Sequence, residues 1–228
     1  MNYLVTGAGR GIGFELTSQL LTLGHHVVAC VRNPEKAKEL GILAKEYAEL
    51  CQVVQMDVAF QKSIQQAVSL IKVEQLDVVI NCAGVLLNYD ANIENLNMVD
   101  LNSSLQTNLF GPIHVTRACL KHLKKAKAPK LVNITSVMGS LTDNSSGMAY
   151  SYRISKAALN MFSKNLSLDE KWLCVLMIHP GWVKTQMGGD NALIAPQESA
   201  GGILKQIETH GLQDSGKFFS FRGEELPW

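Results

Sequence analysis

The 228-residue chain carries a formal net charge of +1 at pH 7, and 46% of its residues are hydrophobic while 18% are charged. A chain of this length can form one large α/β domain without disulfides or metals to stabilise it. The balanced charge argues against nucleic acid as the main partner, because neutralising phosphates requires clustered Lys and Arg. The one basic run, 121–130, is interpreted as the solvated end of a helix.

The cysteine and hydropathy patterns bear on the cellular compartment. The five cysteines are scattered, without a Cys-x-x-Cys pair, and the six histidines show no metal-ligand spacing. The simplest expectation is free thiols in a reducing compartment and no metal. No apolar stretch approaches the roughly 18 residues that span a bilayer, and a strand-like segment lies where a signal peptide would begin. We therefore expect a cytoplasmic protein with no membrane partner.

Short apolar segments alternate with helix-length segments along the chain. Strands are predicted over 3–5, 26–31, 51–56, 76–80, 130–135, 173–178 and 217–221. Several lack polar alternation, which is typical of parallel strands covered by helices on both faces. A helix is predicted over 12–23 with Gly24 at its C-terminal cap, and the next is predicted to begin at Asn33-Pro34. This order, without a linker, predicts a single α/β domain over 1–228 with a doubly wound, Rossmann-type parallel sheet.

A glycine-rich turn follows the first predicted strand. Segment 6–13 reads Thr-Gly-Ala-Gly-Arg-Gly-Ile-Gly, which lacks Gly-x-Gly-x-x-Gly but contains Thr-Gly-x-x-x-Gly-x-Gly. Glycines allow tight curvature and close approach of the backbone to a pyrophosphate at a helix N-terminus. Such a cluster also suits a simple tight turn, but its place between strand and helix favours a dinucleotide site. The predicted contacts are Gly7, Gly9, Arg10, Gly11, Ile12 and Gly13.

The end of the second strand indicates which dinucleotide is bound. Folds that bind NAD place a carboxylate there for the ribose 2′-hydroxyl, and residues 28–33 contain none. Arg32 follows this strand instead, and Arg10 lies in the glycine-rich turn. Guanidinium groups bind phosphate through paired, charge-assisted hydrogen bonds, although either arginine alone would also suit a solvated surface. Together they favour NADP(H), and the missing carboxylate weakens a methyltransferase interpretation.

Tyr152 and Lys156 are four residues apart, which places them on one face of a helix. Free tyrosine titrates at about pH 10, too high for proton exchange at neutral pH. A positive charge about 4 Å away is worth roughly 4 kcal/mol at an effective dielectric constant near 20, which lowers the pKa by about three. We therefore expect Lys156 to lower the pKa of Tyr152. Tyr150 is six residues from the lysine and would point to another side of the helix.

Two polar residues accompany this pair. Ser136 ends an apolar strand, so its hydroxyl is expected at the carboxyl edge of the sheet, where ligands bind in doubly wound folds. Asn108 lies inside a helical pattern that has no obvious use for an amide. The four side chains predict an acid–base site.

The chain resembles the short-chain dehydrogenase/reductase family. The motifs occur in family order over nearly the whole length: 6–13, Asp57, 81–84 (Asn-Cys-Ala-Gly), Asn108, Ser136, Tyr152, Lys156 and Pro180-Gly181. Segments 30–37, 179–189 and 226–228 resemble its branch of C-factor and sniffer-type carbonyl reductases. The resemblance implies an NADP(H)-dependent oxidoreductase that interconverts a carbonyl and an alcohol by hydride transfer.

The resemblance also implies a role for each catalytic residue. Tyr152 would be the general acid for carbonyl reduction and the general base for alcohol oxidation. Lys156 would also hold the hydroxyls of the nicotinamide ribose. Ser136 would bind the substrate oxygen, and Asn108 would organise a water of the proton relay.

Further cofactor contacts are implied by the same resemblance. Asp57 would meet the adenine, Asn81 and Ala83 the adenosine-side ribose region, and Thr185 the nicotinamide carboxamide or a phosphate. The full set of these contacts is Asp57, Val58, Asn81, Ala83, Gly84, Pro180, Gly181, Val183 and Thr185. Structural alternatives stay open, because Asp57 could terminate its strand, Asn81 could tie two strands together and Thr185 could cap a helix.

Two features depart from the family pattern. Cys82 replaces the usual second Asn of Asn-Asn-Ala-Gly, and 141–147 lengthens the interval between Ser136 and Tyr152. Neither removes a catalytic group, and the polar insertion is expected to loop at the pocket mouth. The short segment at about 183–195 is expected to be the substrate loop.

The leading hypothesis is a carbonyl reductase whose partner is a small carbonyl or alcohol compound. The alternative is a nucleotide-binding regulatory or signalling protein of C-factor type, in which turnover is incidental. We also expect a homodimer or homotetramer, since the helices around 98–123 and 152–169 resemble those that pair in family dimers.

Overall fold

The computed structural model covers residues 1–228 and contains seven strands that form one parallel sheet. They are β1 (Asn2–Thr6), β2 (His26–Val31), β3 (Cys51–Gln55), β4 (Val78–Asn81), β5 (Lys130–Ile134), β6 (Cys174–His179) and β7 (Phe218–Ser220). Their spatial order is β3-β2-β1-β4-β5-β6-β7. The direction of strand addition reverses between β1 and β4, as in a doubly wound, Rossmann-type fold. The predicted fold class is confirmed.

Seven α-helices cover the two faces of the sheet. They are α1 (Gly11–Thr22), α2 (Lys38–Glu46), α3 (Gln61–Ser69), α4 (Met98–Leu105), α5 (Gly111–Leu123), α6 (Tyr150–Asp169) and α7 (Pro196–Thr209). Leu4 and Val5 belong to different buried clusters, as expected for successive residues of a strand, whose side chains point to opposite faces. None of the helices combines the length and apolarity needed to cross a membrane. All five cysteines are free thiols.

The first helix ends where the sequence predicts. Gly24 has a φ of 78°, a left-handed conformation that glycine adopts without strain. The Gly24 amide donates to the Leu21 carbonyl (2.9 Å) and the His25 amide to the Leu20 carbonyl (3.0 Å). These two bonds form a Schellman motif, which satisfies carbonyls at the end of α1.

The predicted start of the second helix is wrong by several residues. Asn33 caps only a single 3-10 turn, Pro34–Lys36, by accepting a hydrogen bond from the Lys36 amide. The α-helix itself begins at Lys38.

Four strands are shorter than predicted, and β3 and β5 each end only one residue earlier. β4 begins at Val78, because the Leu76 amide donates to the His122 carbonyl at the end of α5. β7 ends at Ser220, whose amide donates to the Glu224 carbonyl across a tight turn. These differences are of one or two residues, and the predicted site segments still follow β1 to β6.

Candidate active site

The predicted site segments all follow strands at one edge of the sheet. The glycine-rich turn follows β1, and Arg32, Asp57, Gly84, Ser136 and Pro180 come after β2 to β6. Because the strands are parallel, their carboxyl ends lie together. Ligands of doubly wound folds bind at this edge, at the point where the strand order reverses, here between β1 and β4.

The geometry of the glycine-rich turn fits a pyrophosphate. Gly7 and Gly11 have φ values of 71° and 55°, and a Cβ on Gly13 would lie 2.3 Å from the Gly7 carbonyl oxygen. Arg10, at the N-cap of α1, contributes no side-chain hydrogen bond to the helix. The amides of the first helical turn are therefore available to bind an anion. Gly9 packs on Val31, whose Cγ1 would be 3.2 Å from an added Cβ.

The two arginines predicted to select the cofactor are both exposed at this edge. Neither pairs with a carboxylate. Arg10 donates through Nη1 to Oε1 of Gln186, a residue that the sequence analysis did not single out. Because the positive charges are not neutralised within the chain, they are suited to a 2′-phosphate.

Thr6 anchors the segment after β4 to β1. Its hydroxyl accepts hydrogen bonds from the amides of Cys82 (3.0 Å) and Ala83 (3.1 Å). An added Cβ on Gly7 would lie 2.9 Å from the Ala83 Cα, so the two segments are in close contact. Thr6 was not predicted as a site residue, although its position directly before the glycine-rich turn is a signal that could have identified it.

The Asn81 amide has a structural role. Its Nδ2 donates to Oδ1 of Asn133 (2.8 Å), and the Asn133 Nδ2 donates to the Ser163 hydroxyl (2.7 Å). All three side chains are buried. The Asn81 side chain thus ties β4 to β5, which is the structural alternative that the sequence left open.

Asp57 and Val58 lie in the turn between β3 and α3. The Asp57 carboxylate accepts a hydrogen bond from the Ala59 amide (3.0 Å), so this side chain stabilises the turn that ends the strand. Val58 is buried against Gly111, where an added Cβ would lie 2.9 Å from the Val58 carbonyl oxygen. Both residues lie at the predicted edge of the sheet. The hydrogen bond within the turn is enough by itself to explain an aspartate at position 57.

Tyr152 and Lys156 lie side by side on α6, as their spacing predicts. They are 8% and 4% exposed, and the Lys156 Nζ is 5.6 Å from the centre of the Tyr152 ring. Lys156 donates to the Ile134 carbonyl at the end of β5 (2.8 Å). Ser136 follows the same strand, and its side chain reaches the Tyr152 phenol. The structure therefore brings Ser136, Tyr152 and Lys156 together.

The prediction that Lys156 lowers the pKa of Tyr152 is wrong for the protein alone. Burial raises the pKa of Tyr152 to about 12, and the neighbouring Ser136 hydroxyl opposes this only in part. Burial also lowers the pKa of Lys156 to about 8. Loss of hydration disfavours the charged form of each group, and it is the largest cause of both shifts. The phenol is consequently neutral at physiological pH.

Asn108 occupies a π-helical turn, Gln106–Phe110, between α4 and α5. Its amide is completely buried and exchanges two hydrogen bonds with the Val85 backbone, each 2.9 Å long. It also donates to the Ser155 hydroxyl (3.0 Å), which donates in turn to the Tyr152 carbonyl (2.8 Å). Asn108 therefore links the segment after β4 to the helix that carries Tyr152. Ser155, inside the Tyr-x-x-x-Lys motif, is a further residue that the sequence analysis missed.

Gly84 lies between Asn108 and Lys156. An added Cβ would be 3.4 Å from the Asn108 Oδ1 and 3.8 Å from the Lys156 Nζ. Cys82, the departure from the family motif, is close enough to Lys156 for the ammonium to favour its thiolate, but burial raises the pKa of this thiol to about 12. The thiol is therefore neutral and serves as a small packing residue.

The segment between β6 and α7 lies at the same edge of the sheet. Gly181 has a φ of 85°, and Val183 is buried and bridged to Ile194. Thr185 approaches the glycine-rich turn, since its Cγ2 would be 3.1 Å from a Cβ on Gly11. Its hydroxyl accepts a hydrogen bond from the Gly188 amide (3.1 Å) and so stabilises a local turn. The predicted substrate loop, 183–195, is thus in contact with the predicted cofactor site.

Comparisons with known proteins agree with this geometry. Residues 2–193 match the short chain dehydrogenase family. A solved NADPH-bound carbonyl reductase from chicken fatty liver aligns with a TM-score of 0.93 and 34% identity over 100% of this chain and 98% of that one. The carbonyl reductase Sniffer of D. melanogaster aligns with a TM-score of 0.94 and 34% identity, over 100% and 99%.

A curated relative points to the same branch. The C-signal of Myxococcus xanthus is 39% identical over 155 residues, which are 67% of this chain and 93% of that protein. These similarities confirm the resemblance predicted from the motifs. Since the family match covers most of the chain, including the glycine-rich turn and the Ser136, Tyr152 and Lys156 cluster, the protein belongs to the short-chain dehydrogenase family of oxidoreductases.

Proposed function

We propose that the protein is an NADP(H)-dependent carbonyl reductase that converts a small carbonyl compound to its alcohol, with Tyr152 as the general acid. The observation that carries this proposal is the buried cluster of Ser136, Tyr152 and Lys156 at the carboxyl edge of the sheet. Two similar solved structures are described as carbonyl reductases, one of them bound to NADPH.

The protonation state of the cluster suits reduction. A phenol with a pKa of about 12 carries the proton that a carbonyl oxygen must receive. The Ser136 hydroxyl, which lies near the phenol, would hold the same oxygen. Lys156 uses one N–H for the Ile134 carbonyl and keeps two donors for ribose hydroxyls. Its charge stabilises the phenolate left after proton transfer. The bound cofactor supplies the hydride.

The choice of NADP(H) rests on Arg10 and Arg32, which are exposed and have no carboxylate partner. We predict that NADPH is oxidised with aldehydes, ketones or quinones far faster than NADH. Each charge-assisted phosphate contact is worth about 1.5–3 kcal/mol, so Arg32→Ala should lower kcat/KM for NADPH by about 10- to 100-fold and leave that for NADH unchanged. Initial rates with both cofactors check this.

Arg117→Ala, a change at an exposed arginine of α5, is the matched control. It should leave both cofactors unaffected. If Arg32→Ala lowered kcat/KM for NADPH and for NADH equally, Arg32 would not bind the 2′-phosphate.

A regulatory or signalling function is the second candidate, because the C-signal relative is named for signalling. In that case the protein would bind a nucleotide without needing Tyr152 as an acid. The Tyr152 substitution described in the Discussion separates the two functions.

We also propose a homodimer or homotetramer that uses α6. Ile154, Met161 and Leu168 are exposed at seven-residue spacing along this helix, so they form one apolar stripe. Met161→Glu is expected to shift the protein to a smaller species in light scattering, since it places a charge in the contact. An unchanged mass would exclude this face.

A further inference from the structure

The chain between Ser136 and Tyr152 begins and ends at the proposed site of carbonyl reduction. After one 3-10 turn, Val137–Gly139, residues 140–149 form an irregular segment that we call the mouth loop. Leu141 is 81% exposed and Met148 41% exposed. Met148 and Ala149 have φ values of 57° and 47°, which are unfavourable for residues with a side chain. Surrounding contacts must therefore hold this loop in its conformation.

Arg153, directly after Tyr152, supplies three of these contacts. Its Nε donates to the Gly147 carbonyl (2.8 Å) and its Nη2 to the Ser146 hydroxyl (2.8 Å). Its Nη1 donates to the Met138 carbonyl (3.4 Å), on the other side of the loop. No carboxylate pairs with Arg153. One rigid guanidinium thus joins both ends of the mouth loop, and all its bonds go to neutral acceptors within or beside that loop.

Two other tethers hold the loop independently of Arg153. The Thr142 amide donates to the Trp228 carbonyl (2.8 Å), and the Ala149 amide donates to the Tyr89 carbonyl (3.0 Å). Loss of Arg153 therefore frees the part around 144–148 without detaching the whole loop or unfolding α6.

From this arrangement we propose that Arg153 is a positioning residue that determines substrate size. It fixes 144–148 as a wall of the cleft above Ser136 and Tyr152, and this wall contacts the part of a bulky carbonyl compound that extends beyond its reacting group. A small aldehyde reaches only the serine and the tyrosine and does not touch the wall. The inference rests on the proposed function, which supplies the reaction whose selectivity is measured.

The test compares Arg153→Leu and Arg153→Lys with wild type. In Arg153→Leu we expect hydrogen exchange of the Gly147 amide, which donates to the Asn144 Oδ1 (3.1 Å), to be about tenfold faster, because the charge-assisted hydrogen bonds that hold this part of the loop are lost. For a bulky aryl ketone, kcat/KM should fall by about tenfold through KM, while that for a small aliphatic aldehyde and the NADPH dissociation constant stay unchanged. Arg153→Lys retains the positive charge but lacks the planar guanidinium that donates in several directions. Its hydrogen exchange and its kcat/KM for the bulky ketone should therefore lie between those of wild type and Arg153→Leu.

Arg117→Leu serves as the control for removing a surface arginine, with neither effect expected. If Arg153→Leu fails to fold by circular dichroism, Arg153→Lys carries the same comparison. If hydrogen exchange in Arg153→Leu is faster but the ratio of kcat/KM for the bulky ketone to kcat/KM for the small aldehyde is unchanged, Arg153 only stabilises the loop and the proposal is wrong. Unchanged hydrogen exchange would also overturn it. A wild-type protein that reduces no carbonyl compound would instead overturn the proposed function and this role with it.

Discussion

Replacing Tyr152 by Phe is expected to lower kcat/KM for carbonyl reduction by about 10²–10⁴-fold, the range in which general acids contribute. The phenol is buried beside Lys156, and burial keeps it protonated by raising its pKa to about 12. Phe retains the ring that packs in this position but cannot donate a proton. NADPH binding, measured through the fluorescence of the reduced nicotinamide, should be nearly unchanged.

Tyr150→Phe is the matched control, since Tyr150 lies on the same helix only two residues away. It should retain full activity. Turnover that survives in Tyr152→Phe would remove the acid–base role from this residue. If the biological activity of the protein persists in a Tyr152→Phe variant that binds NADPH but does not turn over, the signalling function is the correct one.

Replacing Lys156 by Met is expected to lower reductase activity by about 10²-fold or more and to change the pH dependence of stability. Burial lowers the pKa of Lys156 from 10.5 to about 8. Between these two pH values the unfolded chain binds more protons than the folded protein, so the lysine contribution to the free energy of unfolding rises with pH. Below pH 8 the buried ammonium lowers the free energy of unfolding. A methionine has no such dependence.

The stability of wild type relative to Lys156→Met should therefore increase by roughly 2 kcal/mol between pH 7 and about pH 10. Urea unfolding at both pH values measures this difference. The Ile134 carbonyl loses its donor in the variant, but this loss is the same at both pH values. Lys205→Met, on the exposed face of α7, should show no comparable change. If the free energies of unfolding of wild type and Lys156→Met changed with pH in the same way, the Lys156 ammonium would be well hydrated in the folded protein.

The parts of the structure that sequence reasoning predicts are those set by local patterns. Apolar strands without alternation predict the parallel sheet and the edge at which its strands end, and the glycines between β1 and α1 predict the tight turn there. Spacing on one helix likewise places Tyr152 beside Lys156.

What the sequence does not reveal depends on contacts between distant segments. The hydroxyls of Thr6 and Ser155 each connect segments that are distant in sequence, and although the position of Thr6 marks it as a site residue, nothing in the sequence around either residue predicts its partners. The pKa prediction for Tyr152 was wrong for a related reason. Spacing reveals the nearby charge, but only the packed structure reveals how completely water is removed from both groups.

The hydrogen bonds that run from Asn81 through Asn133 to Ser163 have a consequence for folding. Most other residues of these two strands are apolar, and a hydrophobic surface alone would tolerate several alignments of one strand against the next. A slip of one residue would place each amide opposite an aliphatic side chain and strand its donors in a dry interior, a cost of about 1–3 kcal/mol for each group. The amides therefore favour the native register of β4 against β5 over a shifted one.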